Sequence, residues 1–172
     1  MIIGITGKSG VGKSTYDRKL AKETGYWLIS FDEMSHRVMN LSHVENKLIE
    51  IFGEDLVNQS KLGDRTGIGD LIFTNRHLYK EMSSIVWEAM KNEIDYDILT
   101  HENIILDWIL LPHSHYWKLC DKKILITVDE NKRIERVLKR DNISREYLEK
   151  RDAKSISYDE YMSDIDEVIV ND

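Results

Sequence analysis

A short β-branched run, Ile2-Ile3-Gly4-Ile5-Thr6, stops at a glycine-rich stretch, Gly7-Lys8-Ser9-Gly10-Val11-Gly12-Lys13-Ser14, and an amphipathic segment follows at once. The stretch fits G-x-x-x-x-G-K-[ST] at every fixed position, and it lies between an expected strand and an expected helix. Glycines at 7, 10 and 12 let the backbone curl so that successive N–H groups point into one concavity. No side chain then blocks a polyphosphate from entering it. The helix opening near Lys13 adds the positive end of its dipole. In such a loop Gly10, Val11 and Gly12 supply the backbone cradle and Lys13 reaches the β and γ phosphates. The Ser14 hydroxyl ligates Mg²⁺, and Thr15 adds a donor near the α phosphate. The bland alternative, a glycine turn with no ligand, has to explain all the fixed positions at once. The pattern points to ATP or a related nucleotide with Mg²⁺.

The rest of the chain alternates in the same way. Ser14 to Glu23 carries Tyr16, Leu20 and Ala21 at helical spacing, Gly25 ends that helix, and Trp27-Leu28-Ile29 begins a second strand. Val44, Leu48, Ile51 and Phe52 mark a helix over 41–52, and Leu78 to Ile94 supply the apolar stripe of a long helix over 76–98. The segment 53–69 holds four of the nine glycines and reads as a loop with short turns. Strands are expected at 103–107, 123–128 and 168–170, with a helix from Glu130. The alternation predicts an α/β domain on a mostly parallel sheet, whose ligand site lies at the carboxyl ends of the strands.

Composition narrows the function classes. Thirty-one acidic and 24 basic residues give a net charge of −7 over 172 residues. That balance disfavours nucleic acid and anionic membrane as partners and leaves a small-molecule substrate. Cys120 is the single cysteine, so an internal disulfide and a C-x-x-C metal knuckle are both excluded. With no signal-peptide pattern and no long apolar stretch, a single cytoplasmic domain over 1–172 is expected. The guanine-reading element N-K-x-D is missing, since Asn131-Lys132 is followed by Arg133-Ile134. A small kinase holding a second substrate beside ATP fits the length.

Three further groups of residues suit that chemistry. Asp32 follows the second strand and is placed either to accept a proton from an attacking hydroxyl or to cap the next helix. Asp107 ends the strand at 103–107, placed either to hold Mg²⁺ through water or simply to cap the strand. Arg133, Arg136 and Arg140 on one helix, with Arg145 and Arg151 beyond, form a basic run in an acidic protein. The run is either a solvated face paired with Glu135, Glu146 and Glu149 or a lid over ATP, and the glycine-rich loop favours the lid. His113, His115, Cys120 and Asp121 lack the spacing of a structural zinc site. The four tryptophans read as core or pocket wall.

The chain resembles the dephospho-coenzyme A kinases from Ile3 to Asn171. The resemblance is carried by Gly4-Ile5-Thr6-Gly7 through Thr15, Ser30-Phe31-Asp32 on to Val38, and Phe52-Gly53-Glu54. It continues through Asp64-Arg65, Ile72-Phe73, Ile105-Leu106-Asp107, Leu110-Leu111, Arg136, Arg140-Asp141 and Asp166 to Asn171. It implies a P-loop kinase fold with a five-stranded core, a helical substrate-binding region over about 33–98 and a lid over about 140–155. It also implies transfer of the ATP γ-phosphoryl to the ribose 3′-hydroxyl of dephospho-coenzyme A, the last step of coenzyme A synthesis. By the resemblance Asp32 is the catalytic aspartate, Arg65 meets the substrate, and Arg140 closes over the phosphates; Asp107 is counted with Asp32 and Arg65 on the substrate side. Arg136 and Asn171 are nucleotide-side residues. The chain departs from the family pattern at Ser30, Gly69, Trp87-Glu88, Ile109 and His113, mostly on the substrate side. A kinase of the same fold with a nucleoside or nucleotide acceptor, and an ATP-binding protein without transfer, are the alternative readings.

Overall fold

The computed structural model describes residues 1–62, 66–153 and 155–171, without the side chains of Thr66 and Phe73. These residues divide into two units, one made of 1–30 with 101–171 and one made of 31–100.

The first unit is built on a five-stranded parallel sheet of β1 (Ile2–Thr6), β2 (Trp27–Ser30), β3 (Ile104–Asp107), β4 (Lys122–Thr127) and β5 (Glu167–Val170), in the order β2-β3-β1-β4-β5. Parallel neighbours need crossovers, which put helices on the faces and bury the inner strands on both sides. Hence β1 and β3 read as unbroken apolar runs, and Ile3, Ile5, Ile105, Ile124 and Ile126 form one buried cluster with Val11. Helix α1 (Lys13–Thr24) packs Tyr16, Leu20 and Ala21 against that cluster and stops at Gly25, whose N–H returns to the Ala21 carbonyl at 2.8 Å.

After β4, Asp129 caps helix α7 (Glu130–Asp141) by accepting from the Asn131 and Lys132 N–H groups at 3.0 and 3.1 Å. Ser144 caps α8 (Arg145–Asp152) in the same manner. The chain then returns through a 3₁₀ turn, Asp159–Asp164, with Ile156 and Tyr158 buried on Leu125. Register fixes the functional end of the sheet: Asp107 pairs with Ile5 on one side and Ser30 on the other, so it sits at the carboxyl end of the strand beside β1.

The second unit is helical. It contains α2 (Phe31–Val38), α3 (Ser42–Phe52), α4 (Glu54–Lys61), α5 (Thr66–Thr74) and α6 (Arg76–Thr100). Of the apolar stripe read for α6, Val86, Ala89 and Ile94 are buried, joined by Met90, while Leu78, Met82 and Ile85 are half-buried. The expected loop at 53–69 is largely helical. Glu54 and Asp55 favour the amino end of α4 and Lys61 its last turn, while Val57 is buried. Glycine density hid this, because Gly53 lies outside α4 and Gly67 and Gly69 fall within α5, where packing overrides their low propensity. A cavity of about 340 Å³ opens in this unit, lined among others by His36, Met39, Val57, Lys61, Gly69 and Met82. No helix among the described residues is long and apolar enough to cross a membrane.

Candidate active site

The loop between β1 and α1 has the curled geometry that its glycines predict. Gly10 and Gly12 both hold φ near +90°, and both are crowded. A Cβ on Gly10 would come within 2.5 Å of Val137 Cγ2, and one on Gly12 would overlap Asn171 Nδ2. Only glycine combines that backbone with those close approaches. Gly12 precedes α1 and offers no side-chain cap, so the helix opens without one. Lys13 is half-buried in the first turn, and Ser14 and Thr15 are exposed beside it. A curled loop feeding an uncapped helix is a site for anionic oxygens.

Two residues of the expected nucleotide side, Arg140 and Asn171, meet this loop. Arg140 donates from Nη2 to Ser9 Oγ at 3.0 Å, and its Nε and Nη2 fork onto the Asp141 carboxylate at 2.6 and 3.1 Å. Asp141 also accepts from Arg151 Nη1 at 3.0 Å. The two guanidinium groups, Arg140 first, hold the Asp141 carboxyl down at about 2. Asn171 comes in from the end of β5, with Nδ2 on the Val11 carbonyl at 2.8 Å and its own N–H on Thr127 O at 2.8 Å. Arg136 is exposed one turn before Arg140 on α7. The ion-pair partners differ from those read along the sequence. Glu146 pairs with Lys150 at 2.8 Å, and Arg133, Arg140 and Arg151 use Glu130, Asp141 and Asp152 instead. Arg133 leaves the solvated face altogether: it is 1% exposed and turned under the loop.

Asp107 is buried, and the group facing it is one that the sequence reading did not single out, Asp17 of α1. Asp17 is 1% exposed; its Oδ1 accepts the Arg18 N–H at 2.7 Å, and its buried Oδ2 receives no N–H or hydroxyl hydrogen. Burial pushes the Asp17 carboxyl above its ordinary value, partly offset by Asp107, the Arg18 N–H and the charges of Arg18 and Lys13. The signal was present in the spacing. Asp17 stands one turn after Lys13 and one before Leu20 and Ala21, on the inward stripe of an amphipathic helix.

A raised folded-state value means the protonated carboxyl favours the fold. Its contribution is full below the unfolded value near 4 and is lost as pH rises through the folded value. Asp17→Asn is therefore expected to stabilise the chain at pH 8 by about 1 kcal/mol, or roughly 2–4 °C in Tm, and to change it little at pH 4. Melting curves of both chains at the two pH values check this, and equal Tm values at pH 8 would count against it.

The remaining expected residues fall as follows. Asp32 is exposed in the first turn of α2, which starts at Phe31, so it is a residue of the helix and not its cap; its carbonyl accepts Ser35 Oγ–H at 2.8 Å. Arg65 lies outside the described residues. Trp117 is buried, Trp87 lies 6.4 Å from Phe31, and Trp27 is 44% exposed and stacks on His101 at 4.3 Å. His113 rests against Tyr161 and His115 against Tyr116, while Cys120 donates to the Tyr116 carbonyl at 3.3 Å. Burial pushes the Cys120 thiol up to about 12.

Comparison with known proteins bears on the whole chain. The family model described as dephospho-CoA kinase matches residues 1–172. A dephospho-CoA kinase of Fusobacterium nucleatum is 30% identical over 99% of this chain and 89% of its own length. One from Bacillus cereus is 29% identical over 100% and 88%. Among solved structures, TT1252 from Thermus thermophilus superposes with a TM-score of 0.79 at 25% identity, covering 100% of this chain and 88% of that one. The dephospho-CoA kinase from Campylobacter jejuni, 21% identical over 99% and 88%, has a TM-score of 0.62 and shares the fold.

Proposed function

The chain belongs to the dephospho-CoA kinase family, and from that premise we propose that it transfers the γ-phosphoryl of ATP to the ribose 3′-hydroxyl of dephospho-coenzyme A. The observation that carries the reading is the loop at Gly7–Ser14, curled around φ-positive glycines, opening an uncapped helix and gripped by Arg140.

In this reading the phosphates lie against the Gly10–Gly12 backbone. Lys13 balances charge at the β and γ positions, and Arg140, already at the loop edge through Ser9, meets the transferring group. Arg136 and Asn171 serve the nucleotide side, Asn171 by fixing the Val11 peptide. Asp32 orients or deprotonates the acceptor hydroxyl. The helical unit, with its cavity of about 340 Å³, holds the acceptor, with Arg65 and Asp107 as further substrate contacts.

Bound Mg²⁺ supplies charge neutralisation between the phosphates, and Ser14 is the hydroxyl proposed to ligate it. Among the described residues no group of three or more His, Cys, Asp or Glu side chains forms a cage. That suits an ion which keeps several waters and leans on few protein oxygens plus phosphate.

The test is coupled ADP release with Mg-ATP, offering dephospho-coenzyme A against nucleosides and nucleoside monophosphates. Saturable turnover confined to dephospho-coenzyme A is the expected result. Turnover on a nucleotide alone would overturn the acceptor and keep the kinase. ATP binding with no transfer to any acceptor would overturn the reaction.

A further inference from the structure

Arg133 is the largest fully buried side chain among the described residues, and its hydrogen bonds reach its own helix, the loop and the helix beyond it. Its Nε and Nη2 fork onto Glu130 at 2.8 and 2.7 Å, Nη2 also reaches Asp152 at the end of α8, and Nη1 donates to the Ser9 carbonyl at 3.2 Å. One guanidinium therefore joins α7, α8 and the loop between β1 and α1. It is also the buried member of an over-balanced group, one positive charge against two carboxylates, which together hold it firmly protonated.

The consequence follows from peptide geometry. In a trans peptide the C=O and the following N–H point in opposite directions. A guanidinium that pulls the Ser9 carbonyl outward therefore turns the Gly10 N–H the other way. The same device recurs one glycine later, where Asn171 Nδ2 holds the Val11 carbonyl at 2.8 Å and so sets the Gly12 N–H. Both gripped carbonyls precede the two glycines with φ near +90°, and at both the gripping residue lies close against the glycine itself. Such loops have a conformational cost to hold without a ligand, and a charge-assisted donor is roughly twice as strong as a neutral one.

We propose that Arg133 is a positioning residue for phosphate binding: it fixes the Ser9–Gly10 peptide with its N–H toward the phosphates and, through Asp152, ties that orientation to the docking of α8. The inference rests on reading the loop as the ATP site. Arg133 does not touch the nucleotide; it acts through the peptide it holds.

The experiment uses the full chain, with ATP binding measured by calorimetry and steady-state constants by coupled ADP release. Arg133→Lys keeps the charge but loses the fork. Its Kd and KM for ATP are expected to rise about tenfold, with the KM for dephospho-coenzyme A unchanged. Arg133→Met combined with Asp152→Leu removes the buried cation with its α8 carboxylate and leaves only Glu130, whose side chain is 56% exposed and returns to water, so stability is kept. That double variant is expected to melt close to wild type and still bind ATP about tenfold more weakly, which a purely structural role for Arg133 does not produce. If either variant binds ATP within twofold of wild type, the inference is overturned while the reading of the site stands. A wild-type chain that does not bind ATP overturns the reading itself, and this inference with it.

Discussion

Lys13→Ala is expected to lower kcat by roughly 10²–10³-fold, the usual loss when one preorganised donor to a developing anion is removed. The lysine opens α1 directly after Gly12 and is half-buried, so the helix sets where its side chain leaves the backbone. Alanine is a favourable residue in a helix, and the variant should keep its secondary structure. Lys13→Arg should not restore turnover, because a planar fork does not reproduce a compact ammonium in a cradle of backbone N–H groups. A second effect is separable from catalysis. Lys13 is one of the charges that offset the burial of Asp17, so Lys13→Ala should also lower Tm modestly at pH 8. Adding Asp17→Asn should recover the melting temperature without recovering turnover. Turnover of Lys13→Ala within threefold of wild type would remove the lysine from the mechanism.

How much of this was legible in the chain depends on what each residue's neighbours are. The loop was readable because its chemistry is local: glycines, lysine and serine within eight positions, bounded by a β-branched run and an amphipathic one. The parallel sheet was readable for a similar reason, since buried parallel strands cannot hide their apolar runs. Arg133 was not, and Asp17 only in part, since its spacing marks the inward stripe of α1 but not the partner it meets there. A charged residue on a helix is normally solvated, and what buries these two is a partner far along the chain. For Arg133 the partners are Ser9 and Asp152, and for Asp17 the partner is Asp107. Spacing along one helix carries no information about a carboxylate or carbonyl brought in by another element. The segment 53–69 failed differently. Its glycines signalled turns, but Val57 is drawn into the helical unit and Gly67 packs close to Leu56, contacts that only the folded arrangement supplies.

Asp32→Asn is the sharper probe of the acceptor side. The two roles open to Asp32, proton acceptor and helix-end stabiliser, respond differently to the loss of one charge. Asparagine is isosteric with aspartate, and loss of the charge in the first turn of α2 costs only about 0.3–1 kcal/mol. Stability should therefore change little, and Asp32 is exposed, so no buried partner is left behind. Proton abstraction, by contrast, requires a carboxylate, and its removal should lower kcat by roughly 10²–10⁴-fold with the KM for ATP nearly unchanged. Asp32→Glu keeps the carboxylate one methylene further out and should recover part of the rate, which an electrostatic role at the helix end does not require. Ser30→Asp, introduced beside either variant, asks whether a carboxylate at the end of β2 can take over the role. Rescue of Asp32→Asn by Ser30→Asp would show that the site needs negative charge near the acceptor and not a base at one position. Near-normal turnover in Asp32→Asn alone would leave Asp32 as a helix-end residue and send the search for the base to Asp107 and Asp17, the buried carboxyls at the carboxyl end of the sheet.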